Sequence, residues 1–239
     1  MRSTRIIAHG ELVDHLPRER AGGAFQASFE LPLGMRDLVQ SCGIPHVEVE
    51  RAEVNHKPAG WGRRLDDGDV VEVWPRYPRQ TPEPDARFVL DVHLGKLARL
   101  LRLVGFDADC DQGADDPSLA AHAAQHNRIL LTRDRGLLMR SMISRGRFIR
   151  SIESEQQTSE TLRAFDLAGR VQPFSRCMEC GGRLVRTEPM VREAPPRVLE
   201  RHTEFRRCPR CRRLYWAGTH HGGLEDKIGR ILKAAERPD

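Results

Sequence analysis

The sequence predicts an α/β protein: a parallel sheet flanked by helices, with a small α+β unit before it and a cysteine-rich unit after it. Three observations lead to this prediction. From Arg87 onward, strand-like apolar runs alternate with helical patterns, which is typical of a parallel sheet covered by helices. Prolines concentrated between residues 75 and 84 mark a boundary near residue 80. Two Cys-x-x-Cys pairs follow the α/β region.

Residues 1–78 are predicted to form the α+β domain. Two strand patterns precede a short helix at Met35–Cys42, and two more follow it, the last at Val70–Val73. The turn signal Asp66-Asp67-Gly68-Asp69 stands just before that last strand. This order resembles the ubiquitin-like β-grasp domain of the sulfur-carrier proteins. Those carriers end in a Gly-Gly tail, whereas Gly22-Gly23 is internal here, so we expect a docking or substrate-positioning role instead of sulfur transfer.

Residues 79–86 are predicted to be a semi-rigid proline-rich linker, followed by the α/β domain at 87–172. The run Phe88-Val89-Leu90 predicts its first strand, and Ile129–Thr132 and Phe148-Ile149 predict later ones. A helix is predicted between the first two of these strands, because apolar residues recur at helical spacing at Leu94, Leu97, Leu101 and Val104. Gly105 is predicted to end this helix.

Three aspartates carry most of the functional information. Asp91 ends the first strand, Asp134 follows the run at 129–132 by one residue, and Asp116 opens a helical pattern between them. If the two runs are neighbouring parallel strands, their carboxyl ends lie side by side, where open α/β sheets build their sites. Carboxylates that meet at one edge are usually stabilised by a divalent cation. Acidic sites that hold Mg²⁺ or Mn²⁺ hydrolyse phosphodiesters.

Each aspartate also has a purely structural explanation. Asp116 precedes Pro117, a pattern typical of a helix N-cap with proline at the first helical position. Asp91 and Asp134 can cap the helices that follow them. Their spacing alone leaves both explanations open.

Basic residues surround the acidic positions. Lys96, Arg99 and Arg102 fall three apart on a helical pattern, and Arg133 and Arg135 flank Asp134. We expect these five cations to attract the phosphate backbone of the substrate. A net charge of +5 and a pI of about 9.1 also favour a polyanionic partner over an acidic small molecule. A solvated basic surface is the alternative.

The composition argues against membrane-spanning, secreted and disulfide-stabilised proteins. No apolar run approaches the length of a transmembrane helix, and no apolar signal segment follows the first residues, so we expect a soluble cytoplasmic protein with no membrane partner. Paired cysteines also suit a reducing compartment with a metal site better than a disulfide framework. We interpret the two isolated cysteines, Cys42 and Cys110, as buried apolar residues and not as nucleophiles.

Residues 173–239 are predicted to form a zinc ribbon followed by a C-terminal helix. Four thiolates suit tetrahedral Zn²⁺ and leave no open position for catalysis, so the zinc would be structural; a redox dithiol would need only one pair. The predicted ligands are Cys177, Cys180, Cys208 and Cys211. Trp216 can stack on a base, although we favour a ribbon-core anchor. His220 can approach a phosphate, although we favour a packing or capping role.

The α/β region resembles a known nuclease family. The segment Asp91-Val92-His93-Leu94-Gly95-Lys96-Leu97-Ala98-Arg99 opens the resemblance, and Leu131-Thr132-Arg133-Asp134-Arg135 continues it, with Asp116 opening a helix between them. On these motifs the chain is similar to the Mut-seven C-terminal RNase domain family, a branch of the PIN-like superfamily. The resemblance covers about residues 87–235, since a zinc ribbon belongs to the family. Its bacterial members often carry a β-grasp domain in front.

The resemblance implies a Mg²⁺- or Mn²⁺-dependent endoribonuclease. The family's acidic positions fall on Asp91, Asp116 and Asp134, and Asp107 and Asp109 are further acidic residues whose context can be structural. Many PIN-like nucleases carry another acidic residue after the last strand, but here the stretch at 135–138 contains none. A fourth ligand and a second metal site are therefore unassigned.

Two rival functions stay open. The absent fourth carboxylate favours a non-catalytic RNA- or ribosome-binding module that retains the nuclease fold. A β-grasp adaptor in sulfur or cofactor metabolism is the other rival, and the missing Gly-Gly tail speaks against it. In each case the β-grasp domain would supply a surface for a protein or ribosome partner.

Overall fold

The computed structural model describes residues 2–30, 33–111, 113–189 and 193–236. These residues fall into two compact units. The first unit comprises Met1–Arg79 and Asp116–Phe148, and the second comprises Gln80–Asp115 and Ile149–Asp239. The α/β region therefore contributes to both units.

In chain order, the strands are β1 (Arg2–Ala8), β2 (Ala24–Phe29), β3 (Val49–Val54), β4 (Lys57–Pro58), β5 (Val70–Pro75), β6 (Arg87–Leu90), β7 (Asp107–Asp109), β8 (Ile129–Thr132), β9 (Gly146–Phe148), β10 (Val185–Thr187), β11 (Phe205–Arg207) and β12 (Leu214–Trp216). The α-helices are α1 (Met35–Ser41), α2 (Gly95–Leu103), α3 (Asp116–Gln125), α4 (Arg135–Leu138), α5 (Ser154–Ala164), α6 (Pro196–Arg201) and α7 (His221–Ala235).

The β-grasp sheet of the first unit has the strand order β2-β1-β5-β3-β4. Strand β1 runs antiparallel to β2 and parallel to β5, while β3 runs antiparallel to both β4 and β5. Alternating residues of the strands bury side chains such as Ile6 and Val71 in a core that also holds Leu38 of α1. The structure thus confirms the predicted β-grasp domain and adds the short strand β4.

The predicted turn before β5 is present. Gly68 adopts a φ of +83°, a backbone conformation that residues with a side chain rarely adopt. Asp69 fixes the turn, because its carboxylate accepts hydrogen bonds from the backbone N–H of Asp66 at 2.9 Å and from the amide of Asn55 at 2.7 Å.

The first unit also holds part of the α/β region. Strand β8 pairs with β9 in parallel, with α3 and α4 packed against β8. The predicted strand at Phe148-Ile149 begins two residues earlier, at Gly146, and ends at Phe148. Close packing at Gly146 leaves no room for a side chain there. A Cβ on Gly146 would stand 2.7 Å from Leu138 Cδ2 and 3.3 Å from the carbonyl oxygen of Leu130.

In the second unit, β6 pairs with β7 in parallel, and α2 packs on both β7 and α5. Helix α5 in turn packs against α7. The predicted glycine stop is confirmed: Gly105 has a φ of +103°, and a Cβ there would meet the carbonyl oxygen of Gln172 at 2.5 Å. The parallel strands and their covering helices agree with the predicted α/β class.

The proline-rich segment is packed and not fully solvated. Glu83 is buried, its backbone N–H donates to the carbonyl of Phe165 at 2.9 Å, and Arg170 donates to the carbonyl of Glu83 at 2.5 Å. Towards the C-terminal end, β10, β11 and β12 form an antiparallel sheet in that order. Within the described ranges, no helix combines the length and apolar character needed to cross a bilayer.

Candidate functional site

Four cysteines of the second unit converge on one point. Their sulfur atoms all lie within 4.8 Å of one another, with Sγ–Sγ distances of 3.5 Å for Cys177–Cys211 and 3.4 Å for Cys180–Cys208. Among the residues that the structure describes, this is the one group of three or more potential ligands whose atoms come so close together. Four thiolates in this arrangement can hold a tetrahedral metal ion.

The loops around the sulfurs are shaped for this convergence. Gly182 passes so close that a Cβ there would stand 2.9 Å from the Cys208 sulfur. The Tyr215 hydroxyl lies 3.0 Å from the Cys177 sulfur. Burial opposes ionisation of Cys177, but hydrogen bonds from Tyr215 and from the backbone N–H groups of Cys180 and Glu179 outweigh it and lower its pKa to about 6. A thiolate at this position is the form that binds metals.

Asp91 lies at the carboxyl end of β6 and is buried. Its Oδ1 accepts a hydrogen bond from the His93 N–H at 2.7 Å, so it does cap the helical turn that leads into α2. The β6–β7 register pairs Val89 with Asp109, so Asp91 and Asp111 both follow at the same edge of this strand pair.

Cys110 lies at this acidic edge, with its sulfur 3.7 Å from the backbone carbonyl oxygen of Asp91. Burial first, and then the charges of Asp91, Asp111 and Asp109, raise the pKa of the Cys110 thiol, with Arg102 acting in the opposite direction. Sequence reasoning overlooked Asp111, although the alternation of aspartates from residue 107 to 111 was a usable signal.

The two isolated cysteines differ from each other. Cys42 is buried as predicted, whereas Cys110 is only partly buried. Burial raises the pKa of both thiols, which disfavours the reactive thiolate and agrees with the interpretation that neither is a nucleophile.

Asp116 and Asp134 both belong to the first unit. Asp134 follows β8 and caps α4, with its Oδ1 accepting from the N–H groups of Gly136 at 2.7 Å and Leu137 at 3.4 Å. Asp116 begins α3, where a negative charge is favoured by the helix dipole. Its Oδ2 lies 4.0 Å from an Arg140 nitrogen, so the start of α3 is near the segment that follows α4.

The structure therefore gives Asp91 and Asp134 the capping roles that were one of their two interpretations. The capping hydrogen bonds of Asp91 and Asp134 given above all end on Oδ1. Capping by itself therefore does not prevent these carboxylates from binding a cation. Asp91 belongs to one compact unit, while Asp116 and Asp134 belong to the other. Convergence of the three carboxylates on one ion stays a prediction.

Four of the five predicted RNA-binding cations are exposed. They are Lys96, Arg99, Arg133 and Arg135. Arg99 pairs with Glu179 at 3.4 Å, and Arg135 donates to the carbonyl of His15 at 2.9 Å. Both interactions leave the side chains at the surface.

Arg102 is different, because its side chain is buried inside the second unit. Its Nε donates to the carbonyl of Ala108 at 2.7 Å, and its NH1 donates to the carbonyls of Met178 at 3.2 Å and Glu179 at 2.7 Å. Of the three cations predicted to line one helix, Lys96, Arg99 and Arg102, the third is therefore not part of the binding surface. Arg102 joins α2 to the first cysteine loop and is not available to a nucleic acid.

The β-grasp domain is fastened to the α/β segment of its own unit by buried polar groups. His15 and Glu48 form a fully buried pair, and the other oxygen of Glu48 accepts from the Phe148 N–H at 2.7 Å. Arg147, which is also buried, pairs with Glu11 at 2.8 Å. The predicted docking module is thus tied to strand β9 of the α/β region.

Trp216 departs from the favoured interpretation, and His220 lacks the capping half of its own. Trp216 is 36% exposed and is therefore not a buried core anchor. His220 precedes α7, but its side chain makes no cap hydrogen bond.

Comparison with known families gives two matches. A model described as the Mut7-C RNAse domain matches residues 86–228, and a model described as Mut7-C ubiquitin matches residues 1–81. The first match alone covers more than half of the 239-residue chain. No curated protein and no solved structure matches the chain.

Proposed function

Because the chain belongs to the family of the Mut7-C RNAse domain, we propose that it is a metal-dependent endoribonuclease that hydrolyses RNA phosphodiester bonds. The family match supports a nuclease in general. The proposed metal site rests on the positions of two aspartates. Asp91 comes directly after β6, and Asp134 follows β8 after one intervening residue. The carboxyl ends of parallel strands are where α/β proteins place their sites.

Asp91, Asp116 and Asp134 would hold Mg²⁺ or Mn²⁺, since carboxylate oxygens are the hard ligands that these ions prefer. Bound there, the ion supplies a polarised phosphoryl group and an activated water. The chain contributes rigidity: the N–H groups of His93, Gly136 and Leu137 hold the capping oxygens of Asp91 and Asp134 in place. A fixed carboxylate lowers the entropic cost of arranging the site.

We propose that exposed cations bind the phosphate backbone of the RNA. These cations are Lys96, Arg99, Arg133 and Arg135. The net charge of +5 supports a polyanionic substrate. Arg102 is excluded from this set, because its donors are committed to backbone carbonyls inside the fold.

We assign a structural Zn²⁺ to the four cysteines. The four sulfurs already stand within 4.8 Å of one another, as one shared ion requires. Four thiolates complete the tetrahedral shell, so this ion would take no part in hydrolysis. Its effect would be to hold together the short strands β10, β11 and β12.

We propose that the β-grasp domain binds a protein or ribosome partner while it also supports the nuclease region. The buried Glu48 and Arg147 connect the β-grasp domain to residues 135–148, which favours a fixed orientation of the domain within its unit. A partner bound to the β-grasp domain would then stay close to α4 and Asp134.

The experiment compares cleavage of structured, unstructured and circular RNAs by the wild-type protein and by Asp91→Asn and Asp134→Asn in Mn²⁺ or Mg²⁺. Asparagine caps helices about as well as aspartate, so both variants are expected to fold. We expect cleavage to fall at least about 100-fold, because the lost metal stabilisation amounts to several kcal/mol. Cleavage of the circular RNA would establish the endonucleolytic mode.

The matched control is Asp226→Asn, which removes an exposed carboxylate of α7 and should leave cleavage unchanged. The proposal is wrong if both site variants cleave like the wild type, or if the wild type cleaves no RNA with either ion.

The rival function is a non-catalytic RNA- or ribosome-binding module. Two observations favour it: the stretch Arg135–Leu138 contains no further acidic residue, and the carboxylates of Asp91 and Asp134 are used as helix caps. Salt-sensitive RNA binding without turnover in any divalent ion would support this rival.

A further inference from the structure

A cavity in the second unit plays no part in the proposed hydrolysis. It has a volume of about 510 Å³ and is bounded by β12, by the start of α7 and by the loop at residues 173–174. This size falls within the range of roughly 300–1,000 Å³ that small-molecule sites occupy. The aromatic residues that line it are Phe174, Tyr215 and Trp216.

Trp216 presents an indole ring to this cavity. Trp216 is 36% exposed, so part of its surface is open to solvent. It packs against the backbone at Gly218, where a Cβ would stand 3.0 Å from the indole Nε1. The glycine therefore lets the ring rest on the chain in a defined orientation while part of its surface stays accessible.

A second aromatic surface is built from Phe174 and His221, whose rings stack with centroids 4.3 Å apart and planes 29° from parallel. Phe174 adopts a φ of +57°, a conformation that non-glycine residues rarely take and that is enriched at binding sites. Hydrogen bonds hold this backbone, since the Phe174 N–H donates to Leu103 at 3.0 Å and its carbonyl accepts from Arg206 at 3.2 Å.

The charge around the cavity is positive. Arg206 lines it and is exposed, and it forms no ion pair within the described residues. The acidic residue in the lining, Glu204, is paired with Arg186 at 2.5 Å. His220 and His221 also line the cavity, and the His221 Nε2 lies 3.3 Å from the Glu225 carboxylate. An aromatic cavity beside an unpaired arginine complements a flat base attached to a phosphate.

We propose that this cavity receives an unpaired nucleobase of single-stranded RNA, stacked on Trp216, while Arg206 binds the adjoining phosphate. The inference deepens the proposed function and rests on RNA as its substrate. Stacking on an aromatic ring tolerates every base, because each base has a π face. The cavity would therefore hold an unpaired strand on the ribbon without selecting a sequence.

The test measures binding by fluorescence anisotropy with the full-length, zinc-loaded protein carrying Asp134→Asn and no added divalent ion. The probes are a labelled oligouridine and an abasic ribose-phosphate strand of the same length. Trp216→Ala should weaken oligouridine binding by about tenfold and leave abasic binding unchanged, since stacking contributes roughly 1–3 kcal/mol per base. Trp216→Phe should restore most of the affinity.

The matched control is Trp74→Ala in the β-grasp domain, where the indole stacks on His9 at 4.7 Å. This variant should bind both probes like its parent. The cavity proposal is overturned if Trp216→Ala binds oligouridine like its parent, or if it loses as much affinity for the abasic strand. If Trp216→Ala loses zinc, Gly218→Ala and Trp216→Phe take over the test, the former predicted to weaken oligouridine alone and the latter to preserve it.

The two proposals can fail separately. Cleavage that depends on Asp134, combined with no effect of Trp216→Ala on binding, would overturn the cavity proposal alone. Binding that depends on Trp216 in a protein that never cleaves RNA would overturn the nuclease proposal and retain the cavity. Trp216-dependent binding of an apolar peptide in place of oligouridine would also overturn the cavity proposal.

Discussion

Arg102 illustrates how a single cation can be part of the fold instead of the binding surface. Lys96, Arg99 and Arg102 follow one another at three-residue intervals, which looks like one stripe in the sequence. An α-helix has 3.6 residues per turn, so two such steps turn the direction by roughly 120°. Lys96 and Arg102 therefore face different sides, and Arg102 meets the carbonyls of the first cysteine loop.

Arg102→Met should destabilise the protein without a direct loss of RNA contacts. The change leaves the carbonyls of Ala108, Met178 and Glu179 without their donor, and we expect a loss of about 2–3 kcal/mol in the free energy of unfolding. Zinc should also be released faster to a chelator, because Met178 and Glu179 lie between two of its ligands. Urea unfolding and a zinc-release assay measure both effects.

Arg99→Met is the matched control, because Arg99 is exposed on the same helix and only pairs with Glu179. It should change the free energy of unfolding by less than about 1 kcal/mol. Equal stability losses in the two variants would contradict the role assigned to Arg102.

At the scale of single elements, the cysteine ribbon is the part that depends most on its proposed metal. Strands β10, β11 and β12 have three residues each. So few residues form few ladder hydrogen bonds, and small sheets of this kind are marginal in water. A shared ion would add the stability that strand length does not supply.

Cys208→Ser should abolish stoichiometric zinc binding. Cys208 is fully buried in the four-cysteine group, so its loss leaves three thiolates and an incomplete shell. We expect the wild type to carry one zinc per chain, and we expect the variant to lose several kcal/mol of stability. Elemental analysis and thermal unfolding report the two effects.

Cys110→Ser is the control, because Cys110 lies outside the four-cysteine group. It should retain the zinc of the wild type. A zinc content that is the same in Cys208→Ser, or absent from the wild type, would contradict the assignment of a structural zinc.

At the scale of the whole molecule, the β-grasp domain and the segment Asp116–Phe148 of the nuclease region belong to one compact unit. Besides the buried Glu48 and Arg147, His46 bridges the two parts. Its Nδ1 lies 3.2 Å from the Gln40 amide, and its Nε2 lies 3.0 Å from the Ile143 carbonyl oxygen. The Gln40 and Ile143 contacts fit a neutral ring that accepts at Nδ1 and donates from Nε2. An Arg36 guanidinium nitrogen also lies 3.0 Å from Nε2, where its positive charge opposes protonation of the ring.

The stability of this unit should depend on the protonation of His46. Burial, and then the charge of Arg36, lower the pKa of His46 from 6.5 to about 4. Between these pH values the unfolded chain binds the proton and the folded chain does not, so stability falls as the pH decreases through this window. The expected loss by pH 4 is about 3 kcal/mol.

His46→Gln should remove this contribution, because glutamine does not titrate. The measurement is the difference in unfolding free energy between wild type and variant at several pH values from 7 to 4, with the exposed His93→Gln as control. A difference that stays constant across the range would contradict the assignment.

Local patterns were sufficient for much of the fold. The strand at Val70–Val73, the Asp66–Asp69 turn and the stop at Gly105 depend on neighbours in the chain, and the structure confirms all three. The prediction placed strand β9 too late in the sequence. Arg147 lies in the strand and is buried, whereas a charged residue normally indicates an exposed position. Its burial depends on Glu11, 136 residues away, which no local pattern contains.

The sequence by itself determined the family, the order of the elements and the four cysteines that converge, because short-range periodicity and ligand spacing are written in consecutive residues. Only the tertiary structure decided which charges face solvent. It buried Arg102 and Arg147, exposed Trp216 beside a cavity, and fastened the β-grasp domain to β9. The physical reason is that burial depends on partners supplied by distant segments, and these partners determine whether a charge is stable inside the protein.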